Sequence, residues 1–284
     1  MITAPTNQKV KNLSNLMRRG KARREQKLFV AEGIKMFLEA DPARIQEVYL
    51  SRSFWDKLEK GDEKEIKKRL SACSVEILTD TLFQRVSDTQ TPQGILCVIR
   101  QHFYQPEDLL KKENPLLLLL EDIQDPGNLG TMFRTAEGTG VDGVIMSRGT
   151  ADIYNPKTIR STMGSVYRVP FLYTEDLRSS MAWLQERGIQ IFAAHLQGKK
   201  AYYEENFQSG CAFLIGNEGK GLKEETALAA ESLVKLPMEG KVESLNAAIA
   251  ASVLLYEAAR QRWLGAANGV LNSHGNIIKK RGKR

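Results

Sequence analysis

The alternation of short apolar runs with stretches of helical spacing predicts an α/β protein built from two domains. Residues 116–120 are five consecutive leucines, which is typical of a strand buried in a parallel sheet. Further apolar runs and helical stretches follow in turn, an order typical of a mostly parallel sheet covered by helices. A chain of 284 residues is long enough for two domains of ordinary size. We place the linker between them in the polar stretch 101–115.

The first hundred residues predict the smaller domain, a small α/β domain over residues 1–105. Its expected elements are helices at residues 12–20, 25–40 and 54–70, and strands at residues 46–50, 75–78 and 94–99. A larger domain is predicted over residues 115–265. Its expected strands are residues 116–121, 142–146, 169–172, 189–194, 211–215 and 233–236, and its helices are residues 129–139, 156–164, 177–187 and 245–263. Ser244 is a candidate N-cap for the last of these helices.

The net charge of +7 is concentrated at the two ends of the chain. Between Lys9 and Lys27, eight basic residues stand against one acid, Glu25. The last six residues add five basic residues and no acid, so the rest of the chain carries a net charge of −5. This pattern predicts a basic amino-terminal arm and a basic tail, residues 266–284, that bind a polyanion such as nucleic acid. The alternative is that both ends are merely solvated.

The composition argues against several classes of protein. The leucine run is far shorter than the ~20 apolar residues of a membrane span, and no secretory signal is recognisable, so we expect a cytoplasmic protein without a membrane partner. The cysteines are few and far apart, which suggests a reducing compartment and no metal site; they are Cys73, Cys97 and Cys211. The segment 138–143 matches the dinucleotide pattern G-x-G-x-x-G, but a helix is expected before it and a strand after it, the reverse of that motif.

Three polar, glycine-bearing segments follow predicted strands of the larger domain. They are residues 125–134 (DPGNLGTMFR), 214–221 (LIGNEGKG) and 236–246 (LPMEGKVESLN). Ligands usually bind at the carboxyl ends of strands in such sheets, so one composite site is expected. The candidate side chains are Asn128, Arg134, Asn217, Glu218, Ser244 and Asn246. Because they include no histidine, cysteine or carboxylate pair, they favour a reaction driven mainly by positioning over acyl transfer, glycoside hydrolysis or zinc chemistry.

At these segments the sequence resembles the SpoU/TrmH family of RNA ribose 2′-O-methyltransferases. Residues 125–136, 215–221 and 236–248 are similar to the three ordered motifs of that family, and the resemblance extends over residues 115–263. Residues 25–100, with FVAEG at 29–33, are similar to its substrate-binding module. The resemblance implies S-adenosylmethionine as cofactor, a deep trefoil knot, a homodimer paired partly through the last helix, and an RNA substrate, ribosomal rather than transfer RNA. The alternatives are a transfer RNA methyltransferase, or a non-catalytic RNA-binding or ribosome-assembly factor.

The resemblance also implies roles for individual residues. The expected cofactor contacts are Gly216, Asn217, Gly221, Leu236 and Leu245, with Ala194 and His195 beside the preceding strand end. Arg134 is expected to be the central catalytic residue, oriented by Asn128, while Glu218, Ser244 and Asn246 organise the pocket. Since arginine is a poor base, Arg134 either positions the ribose and its phosphate or accepts a proton only with help from a substrate phosphate. A surface ion pair is the alternative for Arg134.

Overall fold

The computed structural model describes residues 1–266, so most of the predicted basic tail lies outside the described residues. The α-helices are α1 (Gln8–Arg18), α2 (Gly20–Gln26), α3 (Ile34–Glu39), α4 (Arg52–Lys60), α5 (Lys64–Leu70), α6 (Asp80–Val86), α7 (Pro126–Thr139), α8 (Pro156–Thr162), α9 (Leu177–Gln185), α10 (Glu224–Leu228) and α11 (Ala247–Ala266). The β-strands are β1 (Leu28–Glu32), β2 (Ile45–Ser51), β3 (Val75–Leu78), β4 (Ile95–Arg100), β5 (Leu116–Leu120), β6 (Gly143–Ser147), β7 (Phe171–Thr174), β8 (Gln190–Ala194), β9 (Lys200–Ala201), β10 (Cys211–Ile215) and β11 (Ser232–Lys235).

The chain divides into two units. Unit 1 contains Met1–Phe103 together with Ala151–Arg168, and unit 2 contains Tyr104–Thr150 and the chain from Val169 onward. The sequence pattern placed residues 151–168 in the larger domain, and the structure differs here for a physical reason. Asp152 accepts hydrogen bonds from the buried guanidinium of Arg23 at 2.7 and 2.9 Å. In the same segment, the ring of Tyr154 packs against that of Phe29.

Unit 1 is built on a four-stranded mixed sheet in the order β1-β4-β2-β3. Strand β4 pairs antiparallel with β1 and β2, and β2 pairs parallel with β3. The prediction of a single helix over residues 25–40 is wrong, because β1 and α3 occupy most of that stretch. Four of the five residues of β1 are buried, so the strand lacks the alternation that marks a half-exposed strand. Gly33, at φ 109°, separates β1 from α3.

The predicted basic arm is folded into unit 1. Helix α1 buries four apolar residues in the core of this unit, namely Val10, Leu13, Leu16 and Met17. The Lys9 ammonium contacts Glu47 and lies 2.6 Å from Glu76, and the hydrogen bonds that it donates to these carboxylates raise the pKa of Lys9. Arg23 is 3% exposed and donates to Leu16 O at 2.8 Å and to Asp152. Two of the eight basic residues therefore make ion pairs within unit 1.

Unit 2 is built on a seven-stranded sheet in the order β7-β6-β5-β10-β8-β11-β9, and every pairing in it is parallel. All residues of the central strands β5 and β10 are buried, as the apolar runs predict. The predicted parallel sheet flanked by helices is confirmed, although β9 and α10 were not predicted. The trefoil knot stays a prediction. Within residues 1–266, no helix is long and apolar enough to cross a membrane.

Two local predictions in unit 2 have different outcomes. The glycine pattern at residues 138–143 does follow a helix and precede a strand, with Gly140 at φ 75° as the C-cap of α7. Residues 126–128, in contrast, were expected to form a loop before a helix at 129–139, and the structure places them in the first turn of α7. Asp125 caps this helix by accepting from Asn128 N at 2.8 Å, and Pro126 occupies its first turn.

Candidate functional site

The three motif segments meet at the carboxyl edge of the unit 2 sheet, because all its strands run in the same direction. The first segment follows β5, the second follows β10 and the third follows β11. The second and third segments line a cavity of about 440 Å³, a volume within the usual range for small-molecule sites. All seven predicted cofactor contacts line this cavity, together with Glu218 and Ser244; they are Ala194, His195, Gly216, Asn217, Gly221, Leu236 and Leu245.

Unit 1 contains a somewhat larger cavity of about 530 Å³ between α4, α5 and β3. Its lining is mostly apolar, with Trp55, Leu58 and Val75 among the contributors. It lacks the glycine-rich backbone and the converging amide and carboxylate groups found at the sheet edge of unit 2. Since converging polar groups mark a binding site better than volume does, we assign the functional site to unit 2.

The loop after β10 has a backbone that only glycine permits at its first position. A Cβ at Gly216 would lie 2.4 Å from Gly221 C and from Leu222 N. Asn217 N donates to Gly221 O at 3.1 Å, and Gly221 N donates to Asn217 O at 2.9 Å. The Asn217 side chain accepts from Gly219 N and Lys220 N and donates to Asp122 O at 2.7 Å. Asn217 therefore fixes the shape of the loop through both its backbone and its side chain.

A chain of hydrogen bonds, here called the Asn128 bridge, joins the three motifs through Glu218, Asn128 and Asn246. Asn128 Nδ2 donates to Glu218 Oε1 at 3.0 Å, and Asn246 Nδ2 donates to Asn128 Oδ1 at 3.0 Å. Glu218 also accepts from Gln124 N at 3.0 Å and Asp125 N at 3.1 Å. Burial raises the pKa of Glu218, but these hydrogen bonds outweigh it and leave the pKa below its usual value. Glu218 is thus an ionised acceptor that orients the first motif.

Asn246, and not Ser244, caps the last helix. Helix α11 begins at Ala247, and Asn246 Oδ1 accepts from Ala248 N at 2.9 Å and from Ile249 N at 3.3 Å. The prediction of Ser244 as N-cap is therefore wrong by two residues. Ser244 is exposed and lines the cavity. Because one amide side chain both caps α11 and joins the Asn128 bridge, the start of this helix is coupled to the site.

Arg134 is exposed on α7 and lies outside the lining of the cavity. Among residues 1–266 it has neither a carboxylate partner nor a hydrogen bond, so the surface ion pair considered from sequence is not formed within this chain. Asn128 bonds to Glu218 and Asn246 and not to Arg134. A guanidinium without a partner among residues 1–266, on the helix that carries Asn128, is suited to bind a phosphate or ribose from solution.

Two acidic residues directly after β5 were missed by the sequence reasoning. Asp122 has φ 54°, and its carboxylate accepts from Ser147 Oγ at 2.7 Å and lies 3.0 Å from Lys223 Nζ. The hydrogen bond from Ser147 is the main cause of its lowered pKa. The buried Glu121 accepts from Lys223 N at 2.8 Å and Thr226 Oγ1 at 2.6 Å. Two acidic residues directly after a buried apolar strand are the sequence signal that would have identified these carboxylates, which hold Lys223 just after the second motif.

The site fits S-adenosylmethionine in its donor set and shape. Glycine backbone at Gly216 and Gly221 permits close approach of an adenosine group, and the leucines at 236 and 245 offer apolar contact. Within residues 1–266, no group of histidine, cysteine or acidic side chains is placed to hold a metal ion.

Comparisons with known proteins identify the family. Residues 115–256 match the SpoU rRNA Methylase family, and residues 7–97 match the MRM3-like substrate binding domain. The 23S rRNA (guanosine(2553)-2'-O)-methyltransferase RlmP of Bacillus subtilis is 33% identical over 258 residues, covering 90% of this chain and 97% of RlmP. The 23S rRNA (guanosine-2'-O-)-methyltransferase RlmB of Escherichia coli is 27% identical, covering 83% and 98%.

Solved structures agree with this assignment. The crystal structure of an AdoMet-bound rRNA methyltransferase from Sinorhizobium meliloti matches with a TM-score of 0.79 at 30% identity, covering 91% of this chain and 97% of that one. A 2'-O ribose methyltransferase structure matches with a TM-score of 0.75 at 26% identity. The chain belongs to the SpoU rRNA methylase family.

Proposed function

We propose that this protein transfers a methyl group from S-adenosylmethionine to a ribose 2′-hydroxyl of ribosomal RNA. The observation that carries the proposal is the Asn128 bridge, which joins all three motifs beside one glycine-lined cavity. The substrate class is supported by the relatives, since RlmP and RlmB are both named as methyltransferases of 23S rRNA guanosine.

The cavity would hold the cofactor, and the groups at its rim would hold the RNA. Bound S-adenosylmethionine supplies the methyl group from its sulfonium. We assign Gly216, Leu236 and Leu245 to the cofactor, together with the other lining residues predicted from sequence. The backbone of the loop after β10 is already fixed by Asn217, so little ordering is needed when the cofactor binds.

Arg134 is proposed to bind the phosphate beside the target ribose and to align the 2′-hydroxyl with the methyl group. Its guanidinium stays protonated at neutral pH, so it acts as a general base only if a substrate phosphate takes the proton. Glu218 is a poor candidate for that base, since three donors occupy its carboxylate and hold its pKa low. Alignment is therefore the main contribution of the protein to the rate.

Three further assignments complete the proposal. Unit 1 is proposed to bind RNA, which the match to a substrate binding domain supports. A homodimer is proposed to form through α11, where Ile249, Tyr256 and Trp263 recur every seven residues and are exposed by 54%, 51% and 40%. Because α11 packs on α7 through a 3.0 Å hydrogen bond between Thr135 and Ser252, such a dimer would bring Arg134 close to the interface. A cytoplasmic location is proposed with this RNA substrate.

The test is methyl transfer by the purified full-length protein. Ribosomal RNA and transfer RNA from cells lacking the gene are incubated with methyl-labelled cofactor, and modified nucleotides are located by their resistance to alkaline hydrolysis. Transfer to a ribose of ribosomal RNA is the expected result. Cofactor binding without transfer to any RNA or ribosomal subunit would contradict the proposal and favour an assembly factor that retains the fold.

A further inference from the structure

An exposed aromatic ring lies in unit 1 beside an unpaired cation. Phe103 is 64% exposed, and the Lys27 ammonium lies 5.3 Å from the centre of its ring. These two residues are here called the Phe103 platform. Neither the fold of unit 1 nor the site in unit 2 accounts for a large ring left in solvent, since phenylalanine normally contributes by burial.

The backbone on both sides of the platform is held rigidly. Gln101 is 8% exposed, its N donates to Lys27 O at 2.9 Å, and its side chain donates to Arg23 O and Leu28 O. His102 N donates to the Tyr154 hydroxyl at 2.8 Å. Lys27 is the left-handed C-cap of α2, at φ 55°. A ring carried on fixed backbone loses little freedom when a ligand stacks on it.

The charges around the platform are positive. Arg24, Lys27 and Arg100 are exposed, and none has a carboxylate partner among residues 1–266. Arg100 lies opposite Leu28 in the β1–β4 pair, and Leu28 follows Lys27 directly in the chain. The acids of this region are each close to a cation of their own, since Glu25 lies 3.8 Å from Lys21, Asp41 lies 3.9 Å from Arg44 and Asp152 lies 2.7 Å from Arg23. An exposed aromatic face on a segment with several cations is the combination that binds unpaired nucleotides, since the ring stacks on the base and the cations contact the phosphates.

We propose that the Phe103 platform is a stacking site for an unpaired nucleobase of the RNA substrate, with Arg24, Lys27 and Arg100 contacting the adjoining phosphates. The inference rests on the proposed function and extends it, because it specifies that unit 1 recognises a single-stranded stretch of RNA. A base that stacks on the ring replaces the weak contact with Lys27 and leaves the ammonium free to pair with a phosphate.

The test compares binding of a labelled single-stranded RNA with binding of the blunt duplex of the same sequence, using the full chain. Phe103→Ala should weaken binding of the single strand about tenfold or more, the range for loss of one base–aromatic stack, with an unchanged salt slope. Phe103→Trp should retain wild-type affinity. Lys27→Ala should instead reduce the slope of log affinity against log salt by about 0.7.

Leu228→Ala, at a residue 73% exposed in unit 2, is the matched control for loss of exposed apolar surface and should leave affinity unchanged. Equal affinities of Phe103→Ala and wild type for the single strand would overturn the inference, and so would an equal loss on single strand and duplex. These outcomes are separate from failure of the proposed function, which would appear as absence of methyl transfer by the wild-type protein.

Discussion

Replacement of Asn128 by alanine tests whether the Asn128 bridge supports catalysis. The change removes two hydrogen bonds, one to the ionised Glu218 and one from Asn246, each at 3.0 Å. Hydrogen bonds to charged groups contribute about 1.5–3 kcal/mol and neutral ones about 0.5–1.5 kcal/mol. Since water can replace both partners at this half-exposed position, we take the lower end of each range, about 2 kcal/mol in total. If these two hydrogen bonds hold the first motif in the position that catalysis needs, their loss lowers kcat/KM about 30-fold.

The assay is methyl transfer to ribosomal RNA under kcat/KM conditions, with cofactor affinity measured in parallel by calorimetry. Asn128 does not line the cavity, so the Kd for S-adenosylmethionine should change far less than kcat/KM. Values of kcat/KM within twofold of wild type would refute the reasoning, because the Asn128 bridge would then make no measurable contribution to catalysis. A matched loss in cofactor affinity would also refute it, by showing that the bridge acts through the cavity.

Asn128→Asp is a sharper variant of the same experiment. It keeps the shape of the side chain but places a carboxylate against that of Glu218, where an amide nitrogen lies 3.0 Å away in the wild type. Two unit charges at that distance repel by about 1.4 kcal/mol even in water. At pH 7.5 the aspartate variant should therefore be about tenfold less active than the alanine variant. Equal activities would mean that Glu218 is not ionised in the working site.

Three further predictions address other parts of the structure. Arg134→Ala should abolish methyl transfer while cofactor binding stays near normal, and retained transfer would remove Arg134 from the proposed chemistry. Asp152→Asn should lower the free energy of unfolding by about 3 kcal/mol in a denaturant titration, because it leaves the buried Arg23 without a charge partner. The lowered pKa of Glu218 means that its stabilising effect is complete above the ordinary glutamate pKa of about 4.3 and is lost as pH falls through the lower folded value. Glu218→Gln should flatten the fall in unfolding free energy below the ordinary glutamate pKa of about 4.3, and an unchanged profile would contradict this assignment.

Much of unit 2 could be predicted from sequence because its signals are local. A strand buried on both faces, such as β5 or β10, is an uninterrupted apolar run, and the polar segments after such strands mark the ligand edge of a parallel sheet. The start of α7 was missed although its signals were present. Asp125 followed by Pro126 is an N-cap and a first-turn proline, but Gly127 and Gly130 lowered the helix propensity of the stretch.

The errors in unit 1 arise where the deciding contact is distant in sequence. The helical interpretation of residues 25–40 failed because β1 is specified by its pairing with β4, whose residues lie about seventy positions later. Likewise, nothing near residues 151–168 indicates that Asp152 will meet Arg23. In both cases the local pattern is compatible with either structure, and the tertiary contact selects one.

The basic arm illustrates why a charge count alone could not assign its role. Of its eight cations, Lys9 contacts two glutamates and Arg23 is buried against Asp152, so these two serve the fold of unit 1. Arg24 and Lys27, on the same arm, remain exposed beside the ring of Phe103. Deletion of the arm would remove the buried face of α1 and destabilise the unit, so a loss of RNA binding in such a variant would not identify an RNA contact. Only single replacements at the exposed cations and at Phe103 separate recognition of RNA from the stability of the domain that carries it.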